Sequence, residues 1–207
     1  GILFLDELPE FHRDVLEALR QPMEEGKITI ARAQGKATFP ARFTLVAASN
    51  PCPCGYFNDP ERECRCTPSQ IAKYQRKLSG PIMDRIDIKI NVPRVSFDKL
   101  QEKKVAEESS KVRERVEEAR QIQNDRFKNR GIFSNSEMGV KEIEEFCLID
   151  NISKNLLREA MKKLYLSARA YHKILKIART IADLEKEEII KPNYISEAIE
   201  YQREIGY

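Results

Sequence analysis

The sequence predicts an α/β segment over residues 1–96 followed by an all-helical segment over residues 97–207. Three observations carry this. Up to residue 93, short apolar or alternating runs sit between Gly and Pro breaks, as strands do. After Pro93 the chain becomes densely charged with a thin apolar stripe, the mark of a long surface helix. From residue 139 onward, apolar positions recur at helical spacing to the end of the chain.

The elements follow in order. Ile2–Leu5 is an apolar run ending at Asp6-Glu7 and reads as a buried strand. Phe11, Val15, Leu16, Leu19 and Met23 trace one helical face, and Gly26 ends it. Lys27–Pro40 alternates apolar and polar residues about Gln34-Gly35, which predicts a β-hairpin with Ile28 and Ile30 on one face. Phe43–Ala48 is a second buried strand stopping at Ser49-Asn50-Pro51. A cysteine-bearing loop precedes a helix over 68–78, broken by Ser79-Gly80-Pro81. Ile86–Val92 alternates as a third strand. A long helix is predicted over 98–130, with Val112, Val116, Ala119 and Ile122 as its seam, followed by helices over 139–147, 153–165, 168–186 and 194–203. Ser153, Ser167 and Asn193 stand where N-caps belong.

Composition narrows the setting. No apolar run reaches the ~20 residues that span a bilayer, and no secretory leader is visible, so a cytoplasmic protein without a membrane partner is expected. A net charge of +3 is too small to imply nucleic-acid binding by itself, so any basic surface must be local. Cys52, Cys54, Cys64 and Cys66 crowd into one loop, which in such a setting favours thiols or a metal cluster over disulfides.

Several residues suggest phosphate chemistry. A strand ending in Asp6-Glu7 sets two acids at the carboxyl edge of a sheet, where ligands of open α/β sheets bind. In P-loop ATPases the Asp there helps hold Mg²⁺ and the Glu polarises the attacking water; the alternative is a solvated acidic turn. Asn50 ends the second strand, where an amide can bond both a phosphate and a water, or can simply begin a turn with Pro51. Arg85 reads as an exposed arginine able to cross a subunit boundary, or as one in a local salt bridge with Asp84 or Asp87. Arg169 lies in the first turn of a helix whose buried face is Tyr171, Ile174, Leu175, Ala178, Ile181 and Ala182. It falls off that face, toward a ligand or toward solvent.

The order of these features, with the strings GILFLDELPEF, GKITIARAQGKATFPARF, LVAASNPCPCGYFNDPERECRC, LSGPIMDRIDI and SARAYHKILKIARTIADLE, resembles the magnesium-chelatase-like AAA+ ATPases of the ComM/YifB family. The resemblance covers essentially the whole chain and is densest over 1–93 and 167–185. It implies a partial AAA+ P-loop ATPase core followed by a helical lid. Asp6 and Glu7 become Walker B, Asn50 sensor 1, Arg85 an arginine finger acting in trans, and Arg169 the sensor 2 arginine. ATP and Mg²⁺ are the implied cofactors, a homo-hexameric ring the implied assembly, and single-stranded or branched DNA the implied substrate, as in branch migration during natural transformation.

One departure is large. No G-x-x-x-x-G-K-[ST] occurs, so no glycine loop cradles the β- and γ-phosphates. The resemblance then implies the C-terminal part of a longer protein, with near-zero ATPase activity by itself. Two alternatives stay open: a non-catalytic zinc-stapled binding module, and metal insertion into a porphyrin. In the related ATPases a hairpin before sensor 1 lines the central pore, which makes Arg32 and Lys36, flanking the turn here, candidate phosphate contacts. The two C-x-C pairs offer four thiolates for a closed, structural Zn²⁺ site, or four reduced thiols.

Overall fold

The computed structural model describes residues 1–32, 35–78, 82–95 and 107–202. The chain forms two compact units that divide between Ile86 and Asp87.

In the first unit, β1 (Ile2–Leu5) pairs in parallel with β4 (Thr44–Ala47), Ile2 opposite Thr44 and Leu5 opposite Ala47. Both are short apolar runs, and alternation turns Leu3, Leu5, Leu45 and Ala47 inward. The Ala48 amide donates to the Leu5 carbonyl and the Leu8 amide to the Ala48 carbonyl, each at 2.9 Å, so the carboxyl ends of the two strands are tied together. A 3₁₀ turn, Leu8–Glu10, follows.

The single helix expected over 11–25 is instead two short ones, α1 (Arg13–Ala18) and α2 (Arg20–Glu25), meeting at Leu19. Pro22 is the reason: it has no N–H to donate back to residue 18, so the ladder cannot run through. Gly26 then ends α2 with φ +63°, a conformation that side chains disfavour. β2 (Lys27–Arg32) and β3 (Gly35–Pro40) form the expected antiparallel hairpin, Arg32 opposite Gly35, with its two turn residues outside the described set. α3 (Pro68–Lys77) starts at a full capping box, Thr67 and Gln70 each satisfying the other's backbone N–H. The predicted break at 79–81 lies outside the described residues. The core of this unit is small: Leu8, Leu16, Leu78 and Ile82, with Leu5, Leu19, Met23, Ala47 and Met83 packed against it.

The third strand expected over Ile86–Val92 does not form. Ile88, Ile90 and Val92 do alternate, but all three are exposed, and hydrogen bonds of this stretch run to helix-end residues, the Lys89 amide donating to the Tyr201 carbonyl and the Gln202 side-chain amide to the Asp87 carbonyl. Alternation makes a strand only when a second strand takes up the backbone groups.

The second unit is helical: α4 (Ser109–Arg126), α5 (Val140–Phe146), α6 (Asn151–Lys163), α7 (Ala168–Leu184) and α8 (Pro192–Glu200). The helix predicted from residue 98 begins at Ser109; positions 98–106 lie outside the described residues. Ser167 caps α7 as expected, its hydroxyl accepting from the Ala170 amide. The other two caps differ. Asp150 caps α6, its carboxylate accepting from the Ser153 amide at 2.7 Å, so the helix starts ahead of the serine and Ser153 falls within its first turn. α8 begins at Lys191 with Pro192 in the first helical position, where its missing N–H costs nothing.

The helices close around a large apolar cluster that includes Phe127, Ile143, Leu157, Ile174, Ile190 and Ile195. Ile174, Leu175, Ala178 and Ala182 of α7 are fully buried as the periodicity predicts, while Tyr171 and Ile181 are half-buried at its margin.

Candidate functional site

Asp6 and Glu7 stand exposed at the carboxyl edge of the β1–β4 pair. Glu7 adopts φ 50°, ψ 47°, left-handed for a residue with a side chain. Such a conformation costs about 1–3 kcal/mol and persists only where surrounding bonds impose it. Here the Asp6 Oδ1 accepts from the Glu7 amide at 2.9 Å, and the Glu7 carbonyl accepts from the Glu10 amide at 2.8 Å. The chain therefore turns immediately after the strand with both carboxylates facing solvent. Oxygen donors of this kind suit a hard cation such as Mg²⁺.

Asn50 is exposed two residues beyond Ala48. Since Ala48 is bonded to both Leu5 and Leu8, Asn50 leaves the same sheet edge as the acids. The parallel pairing brings together residues more than forty positions apart in sequence.

Arg85 departs from expectation. It ends the 3₁₀ turn Met83–Arg85, but its side chain is only 10% exposed and its Nη2 donates to Glu24 of α2. It is neither an open arm nor, in this contact, a partner of Asp84 or Asp87. An arginine next to the small core loses water, so a carboxylate must meet it, and α2 supplies one. Arg169 belongs to the second unit, exposed in the first turn of α7, off the apolar face as predicted.

The four loop cysteines converge. All are free thiols, and their sulfurs lie within 4.8 Å of one another. Cys52 and Cys54 are 3.4 Å apart, Cys52 and Cys64 3.7 Å, Cys54 and Cys64 3.6 Å. A tetrahedron with metal–sulfur bonds of about 2.3 Å has edges of about 3.8 Å, so the donor set fits a tetrahedral metal site. An extended C-x-C would point its sulfurs apart. The loop avoids this by a turn, the Gly55 amide donating to the Cys52 carbonyl at 3.0 Å with Gly55 at φ +82°.

Backbone amides of Tyr56 and Arg65 favour the Cys54 thiolate and bring its pKa down to about 6. At Cys64 the Cys66 amide works the same way, but burial and the Cys54 and Cys52 sulfurs outweigh it and push the thiol up to about 12. Crowded sulfurs thus resist sharing negative charge, a conflict that a cation removes. Outside the cluster, Arg62 lies 4.0 Å over the Tyr56 ring and donates to its hydroxyl, and the Asp59 carboxylate accepts from the Glu61 and Arg62 amides. The fifth cysteine, Cys147, is a core thiol that burial pushes up to about 12.

On the hairpin, Lys36 is exposed opposite Ala31, on the face that carries Thr29 and Thr38. Arg32 pairs with Gly35 at the backbone, and its side chain lies outside the description. The other face presents Ile28, Ile30 and Phe39, each 41–53% exposed.

Sequence reasoning missed three charged residues, Glu24, Arg179 and Asp183. Glu24 carried no signal beyond an ordinary acid at a helix end. Asp183 and Arg179 lie on the apolar face of α7, where i,i+4 charges inside a hydrophobic period were the readable sign. The Asp183 carboxylate is fully buried and accepts from Arg126, Arg179 and Asn135. Arg179 also donates to the carbonyls of Glu187 and Glu188.

Comparison with known proteins adds a lineage. Residues 1–100 match the model of magnesium chelatase, subunit ChlI, and residues 106–202 match that of the subunit ChlI C-terminal region. The competence protein ComM of Haemophilus influenzae is 47% identical over 203 residues, which is 98% of this chain and 39% of that protein. The uncharacterized protein YifB of Escherichia coli is 42% identical over the same shares. A DNA replication licensing factor of Caenorhabditis briggsae is 32% identical over 88 residues, 42% of this chain and 10% of that protein. The chain therefore spans 39% of the length of its ComM and YifB relatives. Among the described residues no helix is long and apolar enough to cross a membrane.

Proposed function

The chain belongs to the magnesium chelatase subunit ChlI-like AAA+ family that includes ComM and YifB, and from that premise we propose that it forms part of a Mg²⁺-dependent ATPase that remodels DNA. The observation that carries this reading is the parallel β1–β4 pair, which brings Asp6, Glu7 and Asn50 to one sheet edge. The reading requires a phosphate-cradling G-x-x-x-x-G-K-[ST] loop from outside these 207 residues.

Each residue then has a role. Asp6 would hold Mg²⁺. Glu7 polarises the water that attacks the γ-phosphorus and takes up its proton. Asn50 donates its amide N–H to the phosphate and accepts from that water through its carbonyl oxygen. Arg85 meets charge developing on a neighbouring subunit's nucleotide, a contribution that reaches about 10³–10⁵ in rate in related phosphoryl-transfer sites. Arg169, exposed at a helix N-terminus that already favours anions, is the proposed sensor 2 arginine of the helical unit. Bound Mg²⁺ would neutralise the β- and γ-phosphate oxygens.

A homo-hexameric cytoplasmic ring is the proposed assembly, with Lys36 and Arg32 of each hairpin meeting the phosphates of single-stranded or branched DNA. The licensing-factor relative supports DNA as the partner, since that protein's name places it in DNA replication. The four thiolates would hold a structural Zn²⁺, a closed sulfur set that suits a staple for the loop and not a catalytic metal.

The test is Glu7→Gln in the full-length protein. ATP should still bind while turnover falls by orders of magnitude. Undiminished hydrolysis would remove the catalytic reading and leave a zinc-stapled binding module in its place.

A further inference from the structure

The environment of Arg85 points beyond its proposed role at a neighbour's nucleotide. Its turn is anchored in the first unit's core, the Arg85 amide donating at 3.0 Å to the carbonyl of buried Ile82. Its guanidinium is held by Glu24, near the end of α2. Two residues later, Gly26 turns the chain into β2, and Arg42, just past β3, packs over it. A Cβ at Gly26 would meet the Arg42 Cγ at 3.0 Å. The Gly26 carbonyl also accepts from the Ala41 amide at 2.8 Å, so both strands of the hairpin leave from one clamped point beside Glu24.

We propose that Glu24 is a positioning residue that ties Arg85 to the base of the β2–β3 hairpin, so that DNA on the hairpin sets the guanidinium for ATP hydrolysis. This rests on the reading of Arg85 as a trans-acting finger and of the hairpin as the DNA contact. The physical ground is twofold. An arginine side chain has about 2 kcal/mol of rotamer entropy to lose, and a fixed carboxylate pre-sets its fork before any phosphate arrives. The pair also adds a polar bridge between two elements whose Leu19, Met23 and Met83 meet the same apolar cluster. Movement of the hairpin base shifts Glu24, and the largely buried guanidinium follows the carboxylate that neutralises it.

The experiment measures kcat and KM for ATP in the full-length protein, with and without a single-stranded oligonucleotide, for the wild type, Glu24→Gln, Glu24→Asp and Arg85→Ala. The expected result is that DNA raises the wild-type kcat and that Glu24→Gln cuts the DNA-stimulated kcat about tenfold, the scale of one lost charge-assisted hydrogen bond. KM should stay unchanged, and Glu24→Asp should restore part of the response. A plain structural contact would instead lower kcat equally with and without DNA together with the melting temperature, and that outcome overturns the proposal. So does a wild-type kcat indifferent to DNA, or a Glu24→Gln protein with full DNA stimulation while Arg85→Ala has lost turnover. If Arg85→Ala keeps wild-type turnover, it is the finger reading itself that fails, and the role of Glu24 goes with it.

Discussion

The two compact units hold their shape by different means. The helical unit closes around a broad apolar cluster and sinks its charges, Arg126, Arg179 and Asp183, into a satisfied network. All the acceptor positions of the Asp183 carboxylate are taken: Oδ1 by Arg126 and Arg179, Oδ2 by Arg126 and Asn135. The first unit has four buried residues at its apolar centre and leaves Ile2, Phe4 and Val46 of its strand pair exposed. Its long loop is organised by sulfur instead. A short strand pair with one face exposed leaves little area to bury, and a metal-ready cluster supplies order that a small core cannot.

This contrast can be broken at four points. Metal removal should have the largest effect. A structural zinc contributes about 10–16 kcal/mol in small peptide sites, so a chelator or Cys52→Ser should lower the melting of the first unit while the helical unit's transition stays put. Metal analysis before and after chelation, with calorimetry, checks it; metal loss with no change in melting would deny the cluster a structural role. Next comes Asp183→Ala, which leaves Arg126 and Arg179 without their shared counter-charge and should cost about 3–5 kcal/mol in chemical denaturation, confined to the helical unit.

Leu157→Ala empties a fully buried site and should cost the same unit about 2–5 kcal/mol. Here a measured loss below 1 kcal/mol would show a looser core than the burial implies. The smallest effect is expected from Thr67→Ala, which removes half of the capping box of α3 and should cost about 1 kcal/mol. Amide exchange along α3 would report that loss directly.

Much of the fold was legible because it depends on neighbours in sequence. The hairpin was readable from strict alternation about a short turn, and α7 from Ser167 and a clean apolar period. The reading failed where a second element decides the outcome. Ile86–Val92 has the pattern of a strand but no ladder, and Asp150 rather than Ser153 starts α6. Pro22 was visible in the sequence, and the split it forces between α1 and α2 was open to prediction. In the candidate site, Asp6, Glu7 and Asn50 were singled out from strand ends, since a polar residue following an apolar run is a local feature.

By itself, then, the sequence determined the hairpin, the first two strands and most of the helices, that Asp6 and Glu7 follow the first strand and Asn50 the second, and that four thiols share one loop. Those properties follow from side-chain period and backbone preference within a few residues. Only the tertiary structure decided that the four sulfurs stand at tetrahedral spacing, that Arg85 meets Glu24 across 61 positions, and that Asp183 binds Arg126 across 57. A buried charge takes whichever partner folding brings within reach as water leaves, and that choice is made by packing between distant segments rather than by the residues beside it.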